Sequence, residues 1–127
     1  MKYIKKILKK LSEDPVTNKT PTIVFARDPK CNLDEFKLDD LSCYGMFTSI
    51  DRSSAIKVFE GSHALQGNLD PKILLEEDSV IKESVIKMLS EFNDFPGYIF
   101  NLGHGITPDI NPDKVKVLVE AIREAGS

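Results

Sequence analysis

The sequence predicts an α/β fold built on a mostly parallel sheet with helical crossovers. Short apolar, β-branched runs alternate with helical stripes along the chain. Alternation of that kind means parallel strands joined by crossover helices. The first strand run, "PTIVFA", is continuously apolar rather than alternating, which is the pattern of a strand buried on both faces. Finally, 127 residues, 41% of them hydrophobic and 29% charged, suit one domain, residues 1–127, with enough apolar content for a core.

The first element is an amphipathic helix, "MKYIKKILKKLSE". Ile4, Ile7, Leu8 and Leu11 recur at i, i+3, i+4 and i+7, with Lys2, Lys5, Lys6, Lys9 and Lys10 around them. Docking on a core explains this helix most simply. A membrane-surface contact, an acidic partner or an organelle presequence are the other readings. Pro15 and "SEDPVTNKT" end the helix. "PTIVFA" (Pro21 to Ala26) is the first strand, with its proline in the leading position that strands tolerate.

"NLDEFKLDDL" is loosely helical through Leu33, Phe36, Leu38 and Leu41, and "CYGMFTSI" (Cys43 to Ile50) is the second strand. "DRSSAIKVF" is a short helix capped by Asp51 or Ser53. "HALQGNL" (His63 to Leu69) is the third strand and runs into the turn "GNLDP". The next helix carries Ile81, Val85, Met88, Leu89 and Phe92 on one stripe, with Asp78 or Ser79 as cap. "GYIFNL" (Gly97 to Leu102) is the fourth strand. The last helix has Asn111 as cap, Pro112 in the first turn and Asp113 where the helix dipole favours a carboxylate. Its stripe is Val115, Leu118, Val119, Ile122 and Ala125, and Gly126 ends it.

The net charge of −3 gives no global case for nucleic-acid binding. No apolar run approaches the roughly 18 residues that span a bilayer, and no long apolar segment follows the basic start as a secretory signal requires. Cys31 and Cys43 form no CxxC pair and cannot make a disulfide framework. Free thiols in a reducing cytoplasm are the expected state. With His63 and His104 they make too few soft ligands for a structural zinc site.

Sites in parallel α/β folds form at the carboxyl ends of the strands. Those ends carry Arg27 and Asp28; Thr48, Ser49 and Asp51; Gln66, Asn68 and Asp70; and Asn101, His104 and Asp109. Arg27 and His104 are groups that bind a carboxylate, and the amides suit a ligand with acidic groups. On composition alone His104 reads first as a turn histidine bonded to nearby backbone. Gly103 and Gly105 beside it let a ligand approach the backbone closely. "GHG" matches neither common phosphate-loop pattern. A nucleophile–histidine pair of Ser49 or Cys43 with His104 is conceivable but unsupported by any spacing. His63 opens a strand at its amino end, away from the expected site.

"HALQGNLDPKILL" and "GYIFNLGHGITPDINPDKVKVLVEAI" resemble the closing segments of the uroporphyrinogen decarboxylase family, where they run close to "ALQGNLDP" and "IFNLGHGI.P.TP.ENVK.LVE". "PTIVFA" and "MKYIKKILKKL" resemble the strand and helix before them. The likeness is strong from His63 onward and weaker before it. It implies four β/α units of a TIM-barrel type fold, a half barrel corresponding to the family's carboxyl-terminal half. It implies a carboxy-lyase of porphyrin and haem biosynthesis that converts uroporphyrinogen III to coproporphyrinogen III, working as a homodimer without metal or cofactor. The family protonates a pyrrole carbon, releases carbon dioxide from the adjacent acetate and reprotonates.

On this resemblance, His104 holds an acidic side chain of the tetrapyrrole. Gln66, Asn68, Asn101, Gly103, Gly105 and Arg27 shape the site. Two departures limit the expectation. An eight-unit barrel needs about 250 residues, and the family's arginine-rich substrate loop and pyrrole-binding aspartate have no counterpart here. The usual Lys-Gly after the first strand is replaced by Arg27, Asp28 and Pro29, and the "GLDW"-like stretch by "GMFTS" with Phe47. The expectation is therefore a chain inactive without its other half, paired either with a second copy or with an amino-terminal half chain. A degenerate, non-catalytic tetrapyrrole- or partner-binding domain is the alternative. A corrinoid or thiol methyltransferase of the same superfamily is a third reading, disfavoured because Cys31 and Cys43 do not sit at strand ends.

Overall fold

The computed structural model describes residues 1–126. Its elements are α1 (Lys2–Glu13), β1 (Ile23–Phe25), β2 (Cys43–Gly45), α2 (Arg52–Phe59), β3 (Ala64–Gln66), α3 (Asp78–Glu91), β4 (Tyr98–Ile99) and α4 (Pro112–Ala125). Two 3-10 turns, Leu33–Phe36 and Pro71–Leu75, lie between them. The four strands form one parallel sheet in the order β1-β2-β3-β4. The parallel α/β architecture is the one the sequence predicts.

Register sorts the side chains into two faces. Val24, Tyr44, Leu65 and Tyr98 are ladder neighbours, and so are Phe25, Gly45, Gln66 and Ile99. Successive residues of a strand point to opposite faces. The face with Tyr44 and Leu65 carries the core, where Phe36, Phe59, Leu74, Ile81, Val85 and Met88 pack against them. Tyr44 lies between Phe36 and Phe59, with ring centroids 4.7 and 5.1 Å away. Each such side chain, fully buried, contributes roughly 1.5–3 kcal/mol. Burial also pushes the Tyr44 phenol up to about 12.

The opposite face is uncovered. Ile23 is 49% exposed and Phe25 48%, so β1 is not buried on both faces as its apolar run suggests. An apolar composition reports what a strand can bury, and the tertiary packing decides which of its faces is covered. The strands are also shorter than the apolar runs. Beyond Gln66 the ladder breaks at Gly67, whose φ of 108° returns the chain toward β2, and an added Cβ there would sit 2.9 Å from the Met46 carbonyl oxygen. The Tyr98 hydroxyl donates to the Gly67 carbonyl at 2.7 Å and fixes the turn. Pairing resumes only at an isolated bridge between Leu69 and Leu102.

The helices differ from expectation in local ways. Asp51 caps α2, accepting from the Ser54 backbone N–H at 2.9 Å, and Asn111 caps α4, accepting from the Asp113 N–H at 2.9 Å. The Gly126 N–H closes α4 on the Ile122 carbonyl at 3.0 Å. Neither Asp78 nor Ser79 caps α3. The cap position is Glu77, without a side-chain bond, and Asp78 instead accepts from Lys114 Nζ of α4 at 2.7 Å. On α4, Leu118 and Ala121 are buried while Val119 and Ala125 are exposed. The buried face is rotated toward α3, the helix it packs on. "NLDEFKLDDL" yields only a 3-10 turn, closed by an Asn32–Glu35 capping box.

Candidate functional site

A cleft of about 290 Å³ opens on the uncovered face at the carboxyl ends of the strands. Phe25, Gly45 and Met46 line its apolar side, and Gln66, Asn101, His104 and Gly105 its polar side. The structure thus brings together four residues singled out from sequence: Gln66, Asn101, Gly105 and His104. No side chain lining the cleft is a carboxylate, a lysine or an arginine.

His104 is half-buried. Its Nδ1 lies 2.8 Å from the Gly105 carbonyl oxygen. A carbonyl only accepts, so Nδ1 carries the proton, and a neutral ring presents a bare lone pair at Nε2. The ring leans on Phe47, centroid to centroid 5.8 Å at 33°, and Phe47 in turn meets Phe25 at 6.2 Å. Phe25, Phe47 and His104 therefore form an aromatic row across three strand-end segments. Phe47 is the site neighbour that sequence reasoning missed. Its place two residues past β2, in a chain whose sites form at strand ends, was the available signal.

Gly103 lies beneath the cleft rather than in its lining. A Cβ there would sit 2.3 Å from Thr48 Oγ1 and 2.7 Å from the Thr48 backbone nitrogen and Cα. The fourth strand-end segment therefore packs directly on the second, and only glycine allows it. At Gly105 an added Cβ meets nothing within 4 Å.

Asn68 is turned away from the cleft. It is 1% exposed, and its Nδ2 donates to the Phe47 and Ile50 carbonyls, each at 2.9 Å. Arg52 Nη1 approaches Asn68 Oδ1 at 3.4 Å, while the same guanidinium grips Glu91 of α3 through Nε and through Nη2 at 3.0 Å. The hydrogen bond from Arg52 holds the Glu91 carboxyl below the ordinary range, against the opposing effect of burial. Asn68 thus fixes the Phe47–Ile50 segment that supports His104. Its influence on the cleft passes through that segment.

Of the other strand-end residues, Asp51, Asp70 and Asp109 serve local structure and Arg27 does not. Arg27 is exposed, outside the cleft lining, and has no hydrogen bond or ion pair among the described residues. Ser54 and Ser53 bond the Asp51 carboxylate, and the Ser54 hydroxyl leads the effects that lower its pKa. Asp70 caps the Pro71–Leu75 turn by accepting from the Lys72 N–H at 3.0 Å, and Asp109 accepts from the Thr107 hydroxyl. Cys43 opens β2 at its amino end, with its thiol pushed up by burial, which is the reverse of an activated nucleophile. His63 is held by the Leu38 carbonyl, 2.8 Å from Nε2, and by the Ser62 hydroxyl, 2.9 Å from Nδ1. No helix among the described residues is long and apolar enough to cross a membrane.

A parallel sheet, helices on one face and a cleft at the strand ends on the other define a partial β/α barrel. The solved structure of a methyltransferase from Methanosarcina mazei has this fold, with a TM-score of 0.72 at 20% identity over 98% of this chain and 36% of that one. At that identity the likeness concerns fold alone. The sequence model described as uroporphyrinogen decarboxylase (URO-D) matches residues 1–125. The uroporphyrinogen decarboxylase of Alcanivorax borkumensis is 35% identical over 98% of this chain and 35% of its own length. That of Chlorobium chlorochromatii is 41% identical over 85% and 32%. The chain belongs to the uroporphyrinogen decarboxylase family. It spans about a third of the length of the curated relatives it matches, less than the half expected from its strands.

Proposed function

We propose that this chain is the carboxyl-terminal portion of a uroporphyrinogen decarboxylase and supplies one wall of the tetrapyrrole site. Family membership supports the substrate class. The observation that carries the reading for this chain is His104 in the cleft, its Nδ1–H engaged by Gly105 and its Nε2 without a partner among the described residues. With Nδ1–H donated to Gly105, a carboxylate of the substrate can accept from Nε2 only when that nitrogen also carries a proton. Asn101 and Gln66 offer amide groups beside it. Phe25 and Phe47 give an apolar surface for a pyrrole ring.

No carboxylic acid lines the cleft, so the proton donor for the pyrrole carbon comes from outside these residues. The chain alone accordingly binds without turning over. The same lack of an acid favours the second reading, a non-catalytic tetrapyrrole-binding domain. Turnover after reconstitution with the remainder of a relative separates the two.

The test is a titration with uroporphyrin, comparing the wild-type chain with His104→Ala. Weaker binding by the variant is the expected result. Equal affinity removes His104 from the pocket. Decarboxylation of uroporphyrinogen by the chain alone would overturn the statement that its acid lies elsewhere.

A further inference from the structure

Tyr44 is fully buried, at 0% exposure, yet its hydroxyl has no hydrogen-bond partner among the described residues. The ring is held between Phe36 and Phe59, so ring packing and not a bond at its oxygen places the phenol. A buried O–H left unbonded is destabilising, and such groups are rare in folded chains. A phenylalanine would pack the same way without that cost. The core by itself therefore gives no reason for a hydroxyl at this position.

The segment between β1 and the Leu33–Phe36 turn brings Cys31 to this point. Cys31 is half-buried, carries a free thiol and packs against the buried cluster that contains Tyr44. Phe36, at the end of that turn, lies 4.7 Å from the Tyr44 ring and ties the segment to it. Burial leads the effects that raise the Tyr44 phenol, and the charge of the Cys31 thiolate follows, so the two groups are within electrostatic reach. The thiol does not itself bond the phenol. An oxygen carried on the sulfur is an acceptor that the hydroxyl lacks in the reduced chain.

We propose that Cys31 is a site of reversible oxidation by a peroxide, and that the Tyr44 hydroxyl donates to the oxygen which the reaction leaves on sulfur. The Cys31 thiolate attacks one oxygen of hydrogen peroxide. An S–O bond forms and the O–O bond breaks. The departing oxygen takes up the proton that the thiol gave up and leaves as water. Sulfur loses an electron pair and the peroxide gains it. The product is a sulfenic acid, which a thiol reductant returns to free cysteine. The site goes beyond the proposed ligand function, because neither Cys31 nor Tyr44 lines the cleft.

Cys43 is the internal contrast. It is 3% exposed and burial pushes its thiol up, so it neither meets the oxidant nor offers a thiolate. The experiment treats the full chain with equimolar hydrogen peroxide, removes the excess, and adds dimedone, which labels sulfenic acids, after increasing delays. Peptide mass spectrometry then locates the label. Label at Cys31 and none at Cys43 is the expected result. Tyr44→Phe keeps the ring and removes an oxygen that bonds nothing, so its circular dichroism should match wild type. In that variant the sulfenic acid at Cys31 should decay about tenfold faster, the effect of losing one hydrogen bond to a polar oxygen.

A second reading uses the wild-type chain alone. Peroxide should shift its tyrosine absorption as the buried phenol becomes a donor, and dithiothreitol should reverse the shift. Cys31→Ser should show neither the label nor the shift. Label on both cysteines alike, or on neither, overturns the proposal. So does a disulfide between Cys31 and Cys43, a tyrosine spectrum that ignores oxidation, or an equal lifetime of the sulfenic acid in wild type and Tyr44→Phe.

Discussion

Replacing Asn68 with alanine should cost more than any other single polar change in this chain. The Asn68 amide is buried, and its Nδ2 is the donor that reaches the Ile50 carbonyl. It is also the second donor to the Phe47 carbonyl, which already accepts from the Ile50 N–H at 3.0 Å. Asn68→Ala therefore strands the part-buried Ile50 carbonyl, costing about 1–3 kcal/mol, and removes one shared bond, costing about 1 kcal/mol. The Arg52 contact at 3.4 Å is long, and Arg52 keeps Glu91 as its partner, so it adds little. The expected loss is about 2–4 kcal/mol, a large share of the stability of a small domain. The chain has no tryptophan, so urea unfolding followed by circular dichroism is the measurement. Asp70→Ala, which removes an exposed cap, serves as a control expected to lose about 0.5–1 kcal/mol. The variant should also release the Phe47–Ile50 segment, so the His104 ring protons lose the shift imposed by Phe47. A loss under about 0.5 kcal/mol for Asn68→Ala, no more than an ordinary surface substitution gives, would refute the reasoning.

Gly103→Ala should destabilise by roughly 1–3 kcal/mol, because its Cβ meets the Thr48 backbone, which cannot swing aside. Gly105→Ala should be neutral or slightly stabilising by thermal melting, since the added methyl faces open space. Glu91→Gln tests the Arg52 pair through pH. Glu91's folded pKa lies below its ordinary value of 4.5, so its stabilisation is present above that value and lost as pH falls through the folded pKa. Wild type should therefore exceed the variant in stability at neutral pH, by a modest margin because the pair is partly exposed, and the gap should close in acid. A gap that persists unchanged in strong acid would count against the ion pair as its source.

The sequence alone determined the strand order, the helices other than the one expected between β1 and β2, the parallel sheet and two caps, because these rest on local periodicity and on side chains acting within a turn of themselves. Ile81, Val85 and Met88 recur at helical spacing, and Asn111-Pro112 states a helix start whatever lies around it. It also determined the family, through the "QGNLDP" and "NLGHGI" stretches. Which residue of a polar strand end faces the cleft was a tertiary decision. Gln66 and Asn68 are two residues apart, and an unbroken strand would put them on one face. The Gly67 turn sends Asn68 into the α2–α3 side while Gln66 stays in the cleft lining. Phe47 became a site neighbour only when Gly103 let the fourth strand end pack on the second. The open face of β1 was hidden for the same kind of reason. Ile23 and Phe25 read as part of a strand buried on both faces, and only the folded sheet shows them about half exposed, on the face away from the core.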